Sequence, residues 1–171
     1  MIGEYVRVTP EVMQRAIADP AWARNYIDEL QDAEDESDGP TAVLVEEAKR
    51  RLFSTYKVWN IIGYLLERAK CPVDVVFGEE EFAGDDWGYG PPLLLPPDRV
   101  RLAAGVLRGY KYEDLAAGVT DADLHAADVY PIPEPSEANH QVLWAQHWFQ
   151  PLVEFFAAAA DDGDAVIAWI S

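Results

Sequence analysis

Apolar residues recur along the chain with two different periods, and the changeovers fall at prolines and glycines. Glu4-Tyr5-Val6-Arg7-Val8 is a short β-branched and aromatic run and predicts a strand. Thr9-Pro10-Glu11 then places a hydroxyl at an N-cap, proline at the first helical position and an acid in the first turn, predicting a helix to about Ala18. Asp19-Pro20 repeats the signal and opens a second helix, with Trp22, Tyr26, Ile27 and Leu30 at helical spacing. From Val43 to about Arg68 the period is again helical. Val45, Ala48, Leu52 and Phe53 form one stripe, and Trp59, Ile62, Leu65 and Leu66 form another, with room for a break at Ser54-Thr55. Val73–Gly78 is short enough to fit either a strand or a helix.

Leu93-Leu94-Leu95 reads as a short buried segment leading into a proline-opened helix. Val100, Ala103, Ala104 and Leu107 mark that helix's buried face, and Gly109 its stop. Tyr112–Ala117 and Thr120–Ala127 predict two short helices. Asp128–Pro133 is extended, because each proline disfavours helix in the residue before it. A last long helix opens at Ser136 or Glu137 with a wide apolar face through Val142, Ala145, Phe149, Leu152, Val153 and Phe156. Pro151 is expected to kink or split it, and Gly163 to end it. Ala165–Ile170 has high β-propensity and is expected to share a sheet with Tyr5–Val8. The resulting fold class is α+β: a mostly helical single domain over residues 1–171, with a small sheet formed by its N- and C-terminal strands.

Two stretches follow neither period. Asp32–Pro40 is dense in carboxylates, which repel one another, and is expected to be an exposed, mobile loop. It lacks the ligand spacing of a calcium loop, so no metal is assigned to it. Gly84-Asp85-Asp86-Trp87-Gly88-Tyr89-Gly90-Pro91-Pro92 is tolerated by no helix or strand and reads as a shaped loop, the kind of segment that carries function.

Charge changes the picture further. The net charge is −18, and Lys111 is the last basic residue. Tyr112–Ser171 holds 11 acidic side chains and no Lys or Arg, whereas the first 111 residues hold 20 acidic and 13 basic. Such a field repels nucleic acid and anionic membrane and steers a cationic protein partner, although solubility alone also accounts for an acidic surface. The single cysteine, Cys71, excludes an internal disulfide framework and fits a reducing compartment. Met1–Tyr5 has no basic n-region, and no stretch approaches the ~20 apolar residues of a membrane span. A cytoplasmic protein is expected, and nothing in the pattern assigns an oligomeric state.

The candidate chemistry is sparse. Asp85 and Asp86 are paired carboxylates, but one of two adjacent carboxylates commonly caps its own turn. Trp87 and Tyr89 suit stacking on a planar ligand or tethering of the loop to the core. His125 falls near Asp128 if the segment is helical, and Tyr130 follows. His140 and His147 lie two turns apart with Cα atoms roughly 10 Å apart, too far to share one ion, and Trp144 lies between them. No nucleotide-binding glycine pattern, Gly-x-Ser-x-Gly, His-Glu-x-x-His or Cys-x-x-Cys occurs. No catalytic residue, metal or cofactor is therefore assigned. The candidate binding residues are Asp86, Trp87, Tyr89, His125, Asp128 and Tyr130. The leading expectation is a non-enzymatic, acidic module that binds a protein partner, for example by neutralising a cationic toxin. The alternative is a small-molecule-binding or hydrolytic domain with a pocket between residues 84–92 and 125–130.

The ordered set of local features resembles a known family. It comprises Met1-Ile2-Gly3 leading into a strand and helix, Lys57-Val58-Trp59-Asn60-Ile61-Ile62, and Gly88-Tyr89-Gly90-Pro91. After these come Leu93-Leu94-Leu95-Pro96-Pro97-Asp98-Arg99-Val100, Ala127-Asp128-Val129-Tyr130-Pro131 and Gly163-Asp164-Ala165-Val166-Ile167. Together these resemble the YfbM-like proteins (DUF1877), a bacterial family of unknown function. The resemblance implies a single cytoplasmic α+β domain and no particular activity. The chain departs from the pattern by its acidic loop and by Lys49-Arg50-Arg51 ahead of Trp59.

Overall fold

The computed structural model describes residues 1–35 and 50–171. Its elements are β1 (Gly3–Val8), α1 (Pro10–Ala18), α2 (Pro20–Asp35), β2 (Leu52–Tyr56), α3 (Trp59–Arg68), β3 (Glu80–Glu81), β4 (Leu93–Leu95), α4 (Pro97–Leu107), α5 (Tyr112–Ala116), α6 (Asp121–Ala126), α7 (His140–Asp162) and β5 (Ala165–Ile170). The strands form one sheet in the order β2-β1-β5-β4-β3, every pairing antiparallel. The two terminal strands pair as expected, from Gly3 opposite Ile170 to Val8 opposite Ala165.

Strand β5 lies at the centre and is buried along its whole length. Its side chains alternate between faces, as the two-residue period of a strand requires. Val166, Ala168 and Ile170 join Tyr5 and Leu95 in a core completed by α3, α4 and α7. Ala165, Ile167 and Trp169 join Val6, Val8 and Leu94 in a second core under α1 and α2. The sheet is thus a middle layer with helices on both sides.

Several predicted boundaries hold for the predicted reason. Thr9 Oγ1 accepts from Val12 N at 3.3 Å and caps α1. Thr120 and Asp123 form a reciprocal capping box on α6, and the amide of Thr120 holds the Asp123 carboxyl below the usual carboxylate range. Gly163 ends α7 in the left-handed region at φ 73°.

The structure corrects four expectations. Leu52 and Phe53, read as part of a helical stripe, belong to strand β2. Pairing with β1 and ring packing override the local period: Tyr5 and Phe155 flank Phe53 at 5.8 and 5.3 Å between centroids. Val73–Gly78 is neither strand nor helix but a turn about Asp74, whose Oδ1 accepts from Val76 N and Phe77 N at 3.1 and 3.0 Å. Helix α7 begins at His140, because Ser136 and Ala138 instead give their carbonyls to Ala122 N and Asp121 N. The buried Asp121 carboxylate, contributed by α6, then caps His140 N and Gln141 N. Finally, α7 runs through Pro151 unbroken. Pro151 and His147, whose carbonyl loses its partner, are both exposed, while Phe149, Leu152 and Val153 hold the flanking turns in the core.

Of the predicted acidic loop, Asp32–Asp35 continues α2 and is helical. Residues 36–40 lie outside the described residues, as do residues 43–49 of the following predicted helix. The Arg50-Arg51 pair contributes to the core periphery. Arg51 Nη1 reaches Asp164 Oδ2 at 3.3 Å and the Arg7 carbonyl at 3.1 Å. The buried Arg7 guanidinium in turn bonds the Arg50 carbonyl at 2.9 Å and Asp162 Oδ2 at 3.0 Å. Removing the carboxylate of buried Asp164 takes one partner from each of the two guanidinium groups. Asp164→Ala is expected to cost about 3 kcal/mol of unfolding free energy. Urea denaturation checks this, and a change below about 1 kcal/mol shows that the network is dispensable.

Candidate functional site

The Gly84–Pro92 loop joins β3 to β4, and the pairing of Glu81 with Leu93 holds its ends together. Trp87 N donates to the Gly90 carbonyl at 3.0 Å, and Tyr89 N donates to the Ile170 carbonyl at 2.8 Å. The Trp87 ring is buried and stands edge-on to Phe82 and Trp169, each at 5.8 Å. Arg24 of α2 lies over that ring at 5.4 Å and donates to the Trp87 carbonyl at 3.3 Å. At Gly88 φ is 154°, and a Cβ would overlap the Ile170 carbonyl oxygen and come within 2.9 Å of Ser171 Cα. The loop is therefore fastened to the end of the central strand, with Trp87 as the anchor. Asp85, Asp86 and Tyr89 remain outside; Asp86 is exposed and Tyr89 is 67% exposed.

The second predicted group is held differently. His125 is exposed, with Nδ1 2.9 Å from the Pro133 carbonyl. Asp128 is exposed and takes a left-handed conformation at φ 52°. Tyr130 N donates to Asn60 Oδ1 at 2.7 Å, and its ring stacks on Trp59 at 5.9 Å and 22°. Trp59 is buried and also meets Phe77 edge-on at 5.4 Å. No hydrogen bond, ion pair or ring contact of the described residues joins Asp86, Trp87 or Tyr89 to His125, Asp128 or Tyr130.

A cavity of about 560 Å³ opens beside the second group. One face of α3, carrying Asn60, Gly63, Tyr64 and Glu67 at helical spacing, forms one wall, and Cys71 to Phe77 forms the other. Ala127 and Val129 complete it, so His125, Asp128 and Tyr130 border the cavity without lining it, and no residue of the Gly84–Pro92 loop does. Burial pushes the Cys71 thiol above its ordinary value, which keeps it protonated. A shallower hollow of about 480 Å³ lies between α5 and the first turns of α7.

A surface cluster was not singled out from the sequence. Trp144 and Trp148 of α7 pack with Tyr56 at the end of β2. Tyr56 stacks on Trp148 at 6.1 Å and meets Trp144 edge-on at 6.2 Å, and the two indoles meet at 5.5 Å. Tyr56 is 41% exposed, and the two tryptophans are half-buried. His147 and Lys57 approach the rings of Trp148 and Tyr56 at 6.1 and 5.6 Å. The signal available was the four-residue spacing of the tryptophans, on the side of α7 away from Val142, Ala145 and Phe149. Among the described residues, no group of three or more His, Cys, Asp and Glu is placed to hold a metal ion. No described helix is long and apolar enough to cross a membrane.

The described helices packed on a five-stranded antiparallel sheet that takes in both terminal strands define an α+β protein. Residues 1–169 match the family model described as "Domain of unknown function (DUF1877)", and the chain belongs to that family. Its fold is similar to that of the crystal structure of YfbM from Escherichia coli, a protein of unknown function. The TM-score is 0.64 at 13% identity, with 98% of each chain covered. No curated protein matches the chain.

The loop geometry generates a direct test. Gly88→Val forces a β-branched residue to positive φ against the Ile170 carbonyl and is expected to lower the melting temperature by several degrees. Asp86→Asn, at an exposed position, is expected to leave it within about a degree. Thermal melts of the two variants check both, and the reverse pattern overturns the assignment of Trp87–Gly88 as the anchor.

Proposed function

We propose that this domain is a non-enzymatic binding module that recognises a basic segment of a protein partner through the surface of Tyr56, Trp144 and Trp148. The observation that carries the reading is the half-buried aromatic cluster of Tyr56, Trp144 and Trp148, its tryptophans on a helix of the basic-free final stretch. Tyr56 is its most open member, and the 60 residues from Tyr112 carry 11 carboxylates and no Lys or Arg. Tryptophan and tyrosine are the residues that most often dominate interface energies, because each buries a large rigid surface while ordering few torsions. Their ring faces also attract guanidinium and ammonium groups. A surrounding negative field speeds the approach of a cationic partner and disfavours nucleic acid and anionic membrane. Neutralisation of a basic toxin is one concrete form of such recognition. A reducing cytoplasm is the setting that suits a protein whose one thiol, Cys71, is free.

Titration of tryptophan fluorescence with an arginine-rich peptide, and with a glutamate-rich peptide of equal length, tests the reading. Saturable binding of the basic peptide alone is expected, weakened by salt. Tyr56→Asn, at an exposed left-handed position that asparagine tolerates, is expected to weaken it about tenfold while changing the melting temperature by no more than a few degrees. Trp148→Ala is expected to weaken it further. Binding that ignores salt and both substitutions, or no binding of the basic peptide, overturns the reading.

A further inference from the structure

The cavity beside α3 is built with a feature that packing does not require. Gly63 sits in the middle of α3, where glycine is less favourable than alanine because it gains no side-chain contact and gives up more backbone freedom on folding. Its backbone is helical, so no positive φ calls for it. A Cβ there would meet Val76 at 3.6 Å, ordinary van der Waals contact, so no steric conflict calls for it either. What glycine does accomplish is to keep the cavity wall open between Asn60 and Glu67.

The ionised side chains among the residues lining this opening have one sign. Asn60 spends its Oδ1 on Tyr130 N, and no described hydrogen bond uses its amide nitrogen. Glu67 and Asp74, both exposed, are among the lining residues, and no Lys, Arg or His is. Lys70, exposed just past the end of α3, does not line the cavity, and the other basic groups along the same segments are engaged. Arg99 is paired with Glu79 and the Pro72 carbonyl, and Arg68 lies over the Tyr64 ring at 5.9 Å and acts on Asp123. The remaining walls are apolar, from Val73, Val76 and Val129, with Phe77 as an aromatic side. A volume of about 560 Å³ falls within the range of small-molecule sites.

We propose that this cavity binds a small organic amine, with its apolar body against Gly63, Val73 and Val76 and its ammonium between Glu67 and Asp74. The site is distinct from the aromatic surface on α7.

Calorimetric titration of the full chain with phenethylamine, 2-phenylethanol and 3-phenylpropanoate tests the proposal with three bodies of similar shape and different charge. The amine is expected to bind saturably at millimolar concentration, the alcohol about tenfold more weakly and the carboxylate not at all. Gly63→Leu fills the opening and is expected to weaken the amine at least about tenfold. Should that variant fail to fold, Gly63→Ala serves. It is expected to raise the melting temperature by about 2–4 °C while weakening the amine, a combination that a purely structural glycine would not give. Asp74→Asn, which keeps the oxygen that caps Val76 and Phe77, is expected to weaken the amine about fivefold. Failure of the amine to bind, equal binding of the carboxylate, or amine binding unchanged in both Gly63 variants overturns the proposal.

Discussion

Strand β5 is the constraint to which the rest of the structure answers. Ala165-Val166-Ile167-Ala168-Trp169-Ile170 carries no charged side chain, so both of its faces must be covered and both of its edges paired. β1 and β4 pair its edges, and helices from distant parts of the chain cover its faces. Antiparallel sheets commonly leave one face to water. This one cannot, and the need for a second helical layer explains why α1 and α2 lie on the side opposite α3, α4 and α7.

The terminal strands, α1, the caps and the left-handed stop at Gly163 were legible because each is written in a few adjacent residues. Misreadings arose where distant residues decide. Leu52-Phe53-Ser54-Thr55-Tyr56 is ambiguous by itself and becomes a strand because β1 offers an edge and Tyr5 and Phe155 offer rings. The start of α7 is set by Asp121, which no local pattern around Ser136 announces. Pro151 breaks an isolated helix, but here its ring faces water while neighbouring turns are locked in the core.

The candidate residues show the same division. The Gly84–Pro92 stretch was correctly read as shaped, yet its most prominent residue, Trp87, spends its ring on Phe82, Trp169 and Arg24. Composition reveals that a loop is constrained but not whether the constraint serves a ligand or the core. The cavity wall along α3 was hidden for the opposite reason. Asn60, Gly63, Tyr64 and Glu67 look like the ordinary outer face of an amphipathic helix, and only the path of residues 71–77 and 127–129 turns that face inward.

The mutual bonds between Ile2 and Ser171, at 2.7 and 2.9 Å, extend the β1–β5 ladder to the last residue. This has a kinetic meaning. The pair that closes the middle of the sheet joins residues separated by nearly the entire chain, so its loop-closure entropy is met before its contacts repay it. During synthesis β1 can find β2 early, but its other edge stays open until β5 is made. That edge presents unpaired backbone N–H and C=O groups, a template for another chain's strand. The step most exposed to misassembly is therefore the one in which β5 slides between β1 and β4 and removes both edges at once.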